Sequence, residues 1–152
     1  MKYTYNSIHW RITEPITQMN IGYDKNDNPI PVPKEILDQK LNIKTKDRIT
    51  LIYSRGSSKP FITFPIVGKT VKDLFKSLSK GMKTVIIPNS CITFGIYDII
   101  SNFIRPVDRL RLINLYETKK LTPYHLLRDN YEFYEGNLKR GSDGIWTYGV
   151  GS

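Results

Sequence analysis

Thr70-Val71-Lys72-Asp73-Leu74-Phe75-Lys76-Ser77-Leu78-Ser79-Lys80-Gly81-Met82-Lys83 is the most decisive stretch of this sequence. Val71, Leu74, Phe75, Leu78 and Met82 recur at helical spacing and predict one buried stripe over a helix Val71–Lys80. Thr70 is a good N-cap with Asp73 three residues on, the arrangement of a capping box, and Gly81 suits a left-handed stop. Lys69, Lys72, Lys76, Lys80 and Lys83 form a second stripe at steps of three and four. Five ammonium groups on one face repel one another unless solvent, salt or phosphate screens them. Such a stripe is either a solvated outer face or a surface for a polyanion.

On the C-terminal side, Thr84–Ile87 reads as a short buried strand stopped by Pro88. Residues 91–104 are strongly apolar and fit a strand followed by a short helix. Pro106 opens a helix to about Glu117, and Thr122-Pro123 is an N-cap followed by proline at the first helical position. Asp143-Gly144 predicts a hairpin between Leu138–Arg140 and Ile145–Tyr148. Tyr134-Glu135-Gly136 through Tyr148 is similar to one MORN repeat, but a single repeat cannot bury its own core, so an ordinary hairpin is expected.

On the N-terminal side, Arg48–Tyr53 and Phe61–Val67 read as two strands joined by a basic tip, Ser54 to Pro60. Lys44 to Asp47 is a polar turn, and Asn42 is a candidate left-handed stop for a short helix from Lys34 to Lys40. Asp24-Lys25-Asn26-Asp27-Asn28-Pro29 is a strong turn, because Asx side chains bond their own backbone. Ile8, Trp10 and Ile12 alternate with His9 and Arg11 as in a half-buried strand. The expected class is α+β: a strand-rich region 1–68, then a region 69–152 of amphipathic helices and a terminal β-hairpin, packed on the first.

The chain of 152 residues carries a formal net charge of +9, which favours a polyanionic partner, nucleic acid before membrane. The excess is even: 10 basic against 6 acidic residues in 1–68, and 13 against 8 in 69–152. A basic tail is therefore not its source. Alanine is absent while Ile, Asn, Lys and Tyr abound, which points to an A/T-rich coding genome and says nothing of function. No apolar run approaches the ~18 residues that span a bilayer, and the first residues lack a secretory pattern, so a soluble intracellular protein is expected.

Catalysis has no local support. Cys91 alone excludes an internal disulfide and a Cys-rich zinc site, and inside an apolar run it reads as a small hydrophobe. His9 and His125 are too few for a self-contained metal centre. Gly68-Lys69-Thr70 resembles the end of a P-loop, but the upstream glycine is replaced by Thr63. No cofactor or metal is expected. In the C-terminal third Tyr131, Phe133, Tyr134, Trp146 and Tyr148 lie beside Lys139 and Arg140, either as a base-stacking surface or, preferably, as the core of the hairpin. Arg109 and Arg111 share a face if their segment is a strand and diverge if it is a helix.

Within residues 24–66, Val32-Pro33-Lys34-Glu35-Ile36 followed by Leu41-Asn42-Ile43 and Asp47 resembles the AbrB/SpoVT family of swapped-hairpin DNA-binding domains. The resemblance implies a half-barrel that buries its strand faces against a second subunit, hence a homodimer that reads DNA through shape and backbone. Lys34 and Arg48 stand at matching places; the family's Gly-Arg before the extended segment is replaced by Asn28 and Pro29. Lys25 is the nearest basic residue on that side. The expected function is non-enzymatic nucleic-acid binding, to DNA or RNA, through Lys34, Arg48, Arg55, Lys59, Lys69, Lys72, Lys76, Lys80 and Lys83. An RNA-associated structural subunit, such as an organelle-encoded ribosomal protein, or a viral structural or assembly protein is the alternative.

Overall fold

Why does the 70–83 stretch fold as it does? In the computed structural model, which describes residues 4–5, 8–10, 14–53, 63–87, 106–125 and 138–150, Thr70 Oγ1 accepts from Asp73 N at 3.2 Å. Asp73 Oδ2 accepts in return from Thr70 N at 3.1 Å and from Lys69 N at 3.0 Å. This reciprocal capping box satisfies donors that every helix start leaves open. The helix, α2, runs Val71–Thr84, and Val71, Leu74, Phe75, Leu78 and Met82 are all buried.

Gly81 does not stop α2. It lies inside the helix, buried, where an added Cβ would run into the Phe64 ring. Glycine serves there as the site of closest approach between the helix and the sheet, and the chain stays helical for three more residues. Thr84 Oγ1 then donates to Lys80 O at 2.7 Å, and the N–H of the C-cap Val85 donates to Gly81 O at 2.9 Å. The strand expected at Thr84–Ile87 is accordingly absent among the described residues: Thr84 ends the helix, and Ile87 N instead donates to Leu121 O at 2.8 Å.

The strands form two systems. β1 (Asn20–Tyr23) and β2 (Pro29–Pro31) form an antiparallel ribbon across the 24–28 turn. Asp24 Oδ1 accepts from Asn26 N at 2.8 Å and Asn28 N at 3.0 Å, and Asp27 takes a positive φ of 62°. His9 bridges to Asn20 through two backbone bonds, so Ile8 and Trp10 point inward and His9 outward as their alternation implies. Ile12 lies outside the described residues.

After β2 comes α1 (Lys34–Leu37), with Pro33 as its N-cap. Asn42 keeps a negative φ, Asp27 and Lys119 being the non-glycine residues with positive values among those described. The chain leaves α1 extended, with Leu41 N donating to Lys69 O and Val71 N to Gln39 O, so α1 ends against the start of α2.

The second system is a mixed sheet in the order β4-β3-β6-β5, built from β3 (Arg48–Tyr53), β4 (Phe64–Pro65), β5 (Leu138–Arg140) and β6 (Ile145–Val150). β3 and β6 are parallel, Arg48 opposite Ile145 through Tyr53 opposite Val150, while both flanking pairs are antiparallel. Parallel neighbours require a long crossover. Here it contains α2 and α3 (Pro106–Glu117), the latter as the sequence implies.

One apolar cluster joins both halves of the chain: Ile8, Trp10, Ile49 and Phe64 pack with the α2 stripe, Leu138, Trp146 and Tyr148. Phase and geometry are specific at its centre. The Phe75 ring stands edge-on to Trp10 at 5.8 Å and to Tyr148 at 5.2 Å, and the Tyr148 hydroxyl donates to Ile8 O at 3.2 Å. Ile49 and Phe64 are fully buried within a single chain. Both pack in one cluster with α2, whose Gly81 lies against the Phe64 ring.

Candidate nucleic-acid interface

On a helix of 3.6 residues per turn, Lys72, Lys76, Lys80 and Lys83 fall within an arc of about 80°, opposite the buried stripe. All four are exposed. Lys72 and Lys83 are about 16 Å apart along the axis at 1.5 Å per residue. Asp73 is the one acid on α2. It faces the helix start, where the Thr70 amide holds its carboxyl below the usual carboxylate range, so it remains ionised and occupied in the cap. Two of the stripe's lysines also touch the protein. Lys83 Nζ lies 5.6 Å from the centroid of the Tyr124 ring, a cation–π contact. Lys69 Nζ donates to the Ile43 carbonyl oxygen, which ties the N-terminal end of the stripe to the loop before β3.

Lys34 is the first residue of α1, exposed, on an element that packs against α2. Arg48 is exposed but engaged: Nε donates to Thr63 Oγ1 at 2.7 Å and Nη2 to Thr63 O at 2.8 Å, bracing β3 against the residue before β4. Arg55 and Lys59 lie outside the described residues, as do Cys91, Tyr131, Phe133 and Tyr134. Of the nine candidate contacts, five thus lie on α2 and the residue before its cap, and Lys34 lies on α1, which packs against α2. Arg109 and Arg111 sit on a helix and diverge. Trp146 and Tyr148 are core residues, which removes them as a stacking surface.

The sequence did not announce the most strongly organised polar cluster. Asp47, 5% exposed, accepts four hydrogen bonds. Arg140 donates through Nε to Oδ2 and through Nη2 to Oδ1, both at 2.9 Å. Trp146 Nε1 and Lys44 N each donate to Oδ2 at 3.0 Å. The Arg140 guanidinium, aided by the other two donors, holds the Asp47 carboxyl well below the usual carboxylate range despite its burial. Asp47 and Arg140 are 93 residues apart, so no local pattern signals their meeting. The only sequence cue was an aspartate at a turn before a strand.

His125 is part of a helix start: its Nδ1 accepts from Thr122 N at 3.0 Å and lies 3.0 Å from Thr122 Oγ1. No group of three His, Cys, Asp or Glu side chains that could hold a metal ion occurs among the described residues. No helix among them is long and apolar enough to cross a membrane. Comparisons with protein-family models, with curated proteins and with solved structures find no match to this chain.

Proposed function

We propose that this chain is a non-enzymatic nucleic-acid-binding protein, working inside the cell, that grips the phosphate backbone with the lysine face of α2. One observation carries the reading: Lys72, Lys76, Lys80 and Lys83 share the outer face of a helix whose single acid is confined to its cap. Four ammonium groups along about 16 Å can each meet a phosphate, because a duplex offers about nine over that length, one every ~1.7 Å of axis. Binding of this kind is driven by counterion release and is largely independent of sequence. Ile49 and Phe64 are buried within one chain, and the proposed grip on phosphate is made by one copy of α2.

Reversal of two stripe charges in Lys72→Glu/Lys76→Glu tests it. Both side chains are exposed, so the fold is expected to persist. Neutralising about four phosphates gives a log–log salt slope near −3.6, and losing two contacts flattens it by about 1.8. Lys25→Glu, in the 24–28 turn and off α2, is expected to leave the slope unchanged. Equal affinity and slope for the α2 variant and the wild type at matched salt would remove the helix from the interface.

A further inference from the structure

The Asp47 cluster floors an open hollow of about 350 Å³, whose lining includes Lys44, Thr45, Lys46, Arg140, Ser142 and Asp143. Two turns form its walls. In one, Asp47 N donates to Lys44 O at 3.0 Å; in the other, Gly144 N donates to Gly141 O at 3.1 Å. Arg48 N donates to Gly144 O at 3.1 Å and so fastens the two turns together. Gly144 has a φ of 80°, a conformation that a side chain would strain.

Arg140 is the informative residue. Guanidinium carries five N–H donors in one rigid plane. Asp47 is its hydrogen-bond acceptor among the described residues and takes two of those donors, one from Nε and one from Nη2. The carboxylate thereby fixes the plane while three donors are left for something else. A side chain held this way has already lost the freedom that binding would otherwise remove.

Around it stand two exposed ammonium groups, Lys44 and Lys46, and two hydroxyls, on Thr45 and Ser142. On the acidic side, Asp47 is matched by Arg140. Asp143 accepts from Ile145 N through Oδ1 at 3.1 Å within its own hairpin turn, and its charge also acts on Arg140, so the two lysines supply the hollow's net positive charge. Planar paired donors flanked by point charges are the chemistry that recognises a tetrahedral phosphate oxyanion. The loop that lines the hollow is tied to the start of the lysine stripe: Lys69, two residues before α2, donates through Nζ to the carbonyl of Ile43, the residue next to Lys44.

We propose that Lys44, Lys46 and Arg140 form a phosphodiester-binding site that continues the α2 lysine face onto the C-terminal hairpin. It rests on the reading of α2 as a nucleic-acid interface, and would receive the backbone of the strand that α2 holds.

Lys44→Gln/Lys46→Gln removes two charges from exposed side chains without touching Asp47 or Arg140. Binding to a fluorescent 20-residue oligonucleotide, as duplex DNA and as RNA, is followed across a salt series. In parallel, the indole N–H resonance of Trp146, which is bonded to Asp47, is read against that of Trp10, which donates to Glu14 O at 3.0 Å. The expected result is a slope shallower by about 1.8 in the double variant. In the wild type, the Trp146 and Arg140 Nε–H resonances shift on binding while Trp10 stays in place. Inorganic phosphate alone is expected to shift the Arg140 resonance as well, at higher concentration.

An unchanged slope with a stationary Trp146 signal overturns the site, and leaves the α2 interface standing if Lys72→Glu/Lys76→Glu still weakens binding. Weakening by Lys44→Gln/Lys46→Gln but not by the α2 variant supports the site and refutes the α2 reading instead. Equal loss on DNA and RNA identifies the shared phosphate as the ligand, whereas a loss confined to one of them overturns a site that recognises phosphate alone.

Discussion

Replacing Asp47 by Asn keeps the shape of the cluster and removes its charge. Three of the four donors converge on Oδ2 and the fourth on Oδ1. The best placement of the amide therefore puts its oxygen at the Oδ2 position and its NH₂ against Arg140 Nη2, donor facing donor. The bonds from the Trp146 indole and the Lys44 amide survive, but each falls from charge-assisted to neutral strength, a loss of about 1 kcal/mol apiece. Counting only these two, Asp47→Asn is expected to cost about 2 kcal/mol at neutral pH. The strained contact with Arg140, which is open to solvent, acts in the same direction. For a chain of this length, that corresponds to a fall in Tm of roughly 4–8 °C.

Acid should narrow the difference. The Asp47 carboxyl titrates well below its unfolded value, so its stabilisation is complete above the unfolded pKa of about 3.9 and is lost as pH falls through the native one. Urea unfolding of both proteins at pH 7 and pH 3 measures this, and the gap is expected to shrink by about 1 kcal/mol between them. A variant as stable as the wild type at pH 7, or a gap of the same size at both pH values, would refute the assignment of a charged, bonded Asp47 as the link between the 44–47 turn and the C-terminal hairpin.

Gly81→Ala would ordinarily strengthen a helix by up to ~1 kcal/mol; here the methyl meets Phe64, and a net loss of about 1–3 kcal/mol is expected in chemical denaturation. Removing the capping hydroxyl in Thr70→Ala should cost about 1 kcal/mol, seen as a lower denaturation midpoint with an unchanged m-value. Tyr148→Phe leaves the buried Ile8 carbonyl without the phenol that donates to it, an expected loss of about 1–2 kcal/mol with the ring contacts to Phe75 retained.

Local signals were read with little loss. Thr70 and Asp73 announce the start of α2, Arg48–Tyr53 is a strand with the bounds its β-branched pattern implies, and Asp143-Gly144 closes the hairpin between β5 and β6. What failed were the points where a distant partner overrides a local preference. Gly81 has the mark of a helix stop, yet Phe64 across the core makes it a packing position, and α2 runs on to Thr84. The parallel pairing of β3 with β6 joins residue 48 to residue 145, and nothing near either end of the chain encodes that register. Trp146 shows the same limit from the side of function. Beside Lys139 and Arg140 it has the composition of a base-stacking surface, but its ring is in the core and its N–H is bound to Asp47. The α2 lysines were legible because helical period alone places them on one face, whereas the Arg140 hollow depends on contacts between residues about a hundred positions apart.

Fluorescence anisotropy of a labelled random duplex, titrated with the purified wild-type chain from low to physiological salt, tests the central claim most directly. Backbone contact by the α2 face predicts tight binding at low salt and a log–log slope of about −3.6 or steeper, with a structured RNA bound comparably. Absence of binding to either nucleic acid at low salt, or an affinity indifferent to salt, would contradict it and assign the charge of +9 to an acidic protein partner instead.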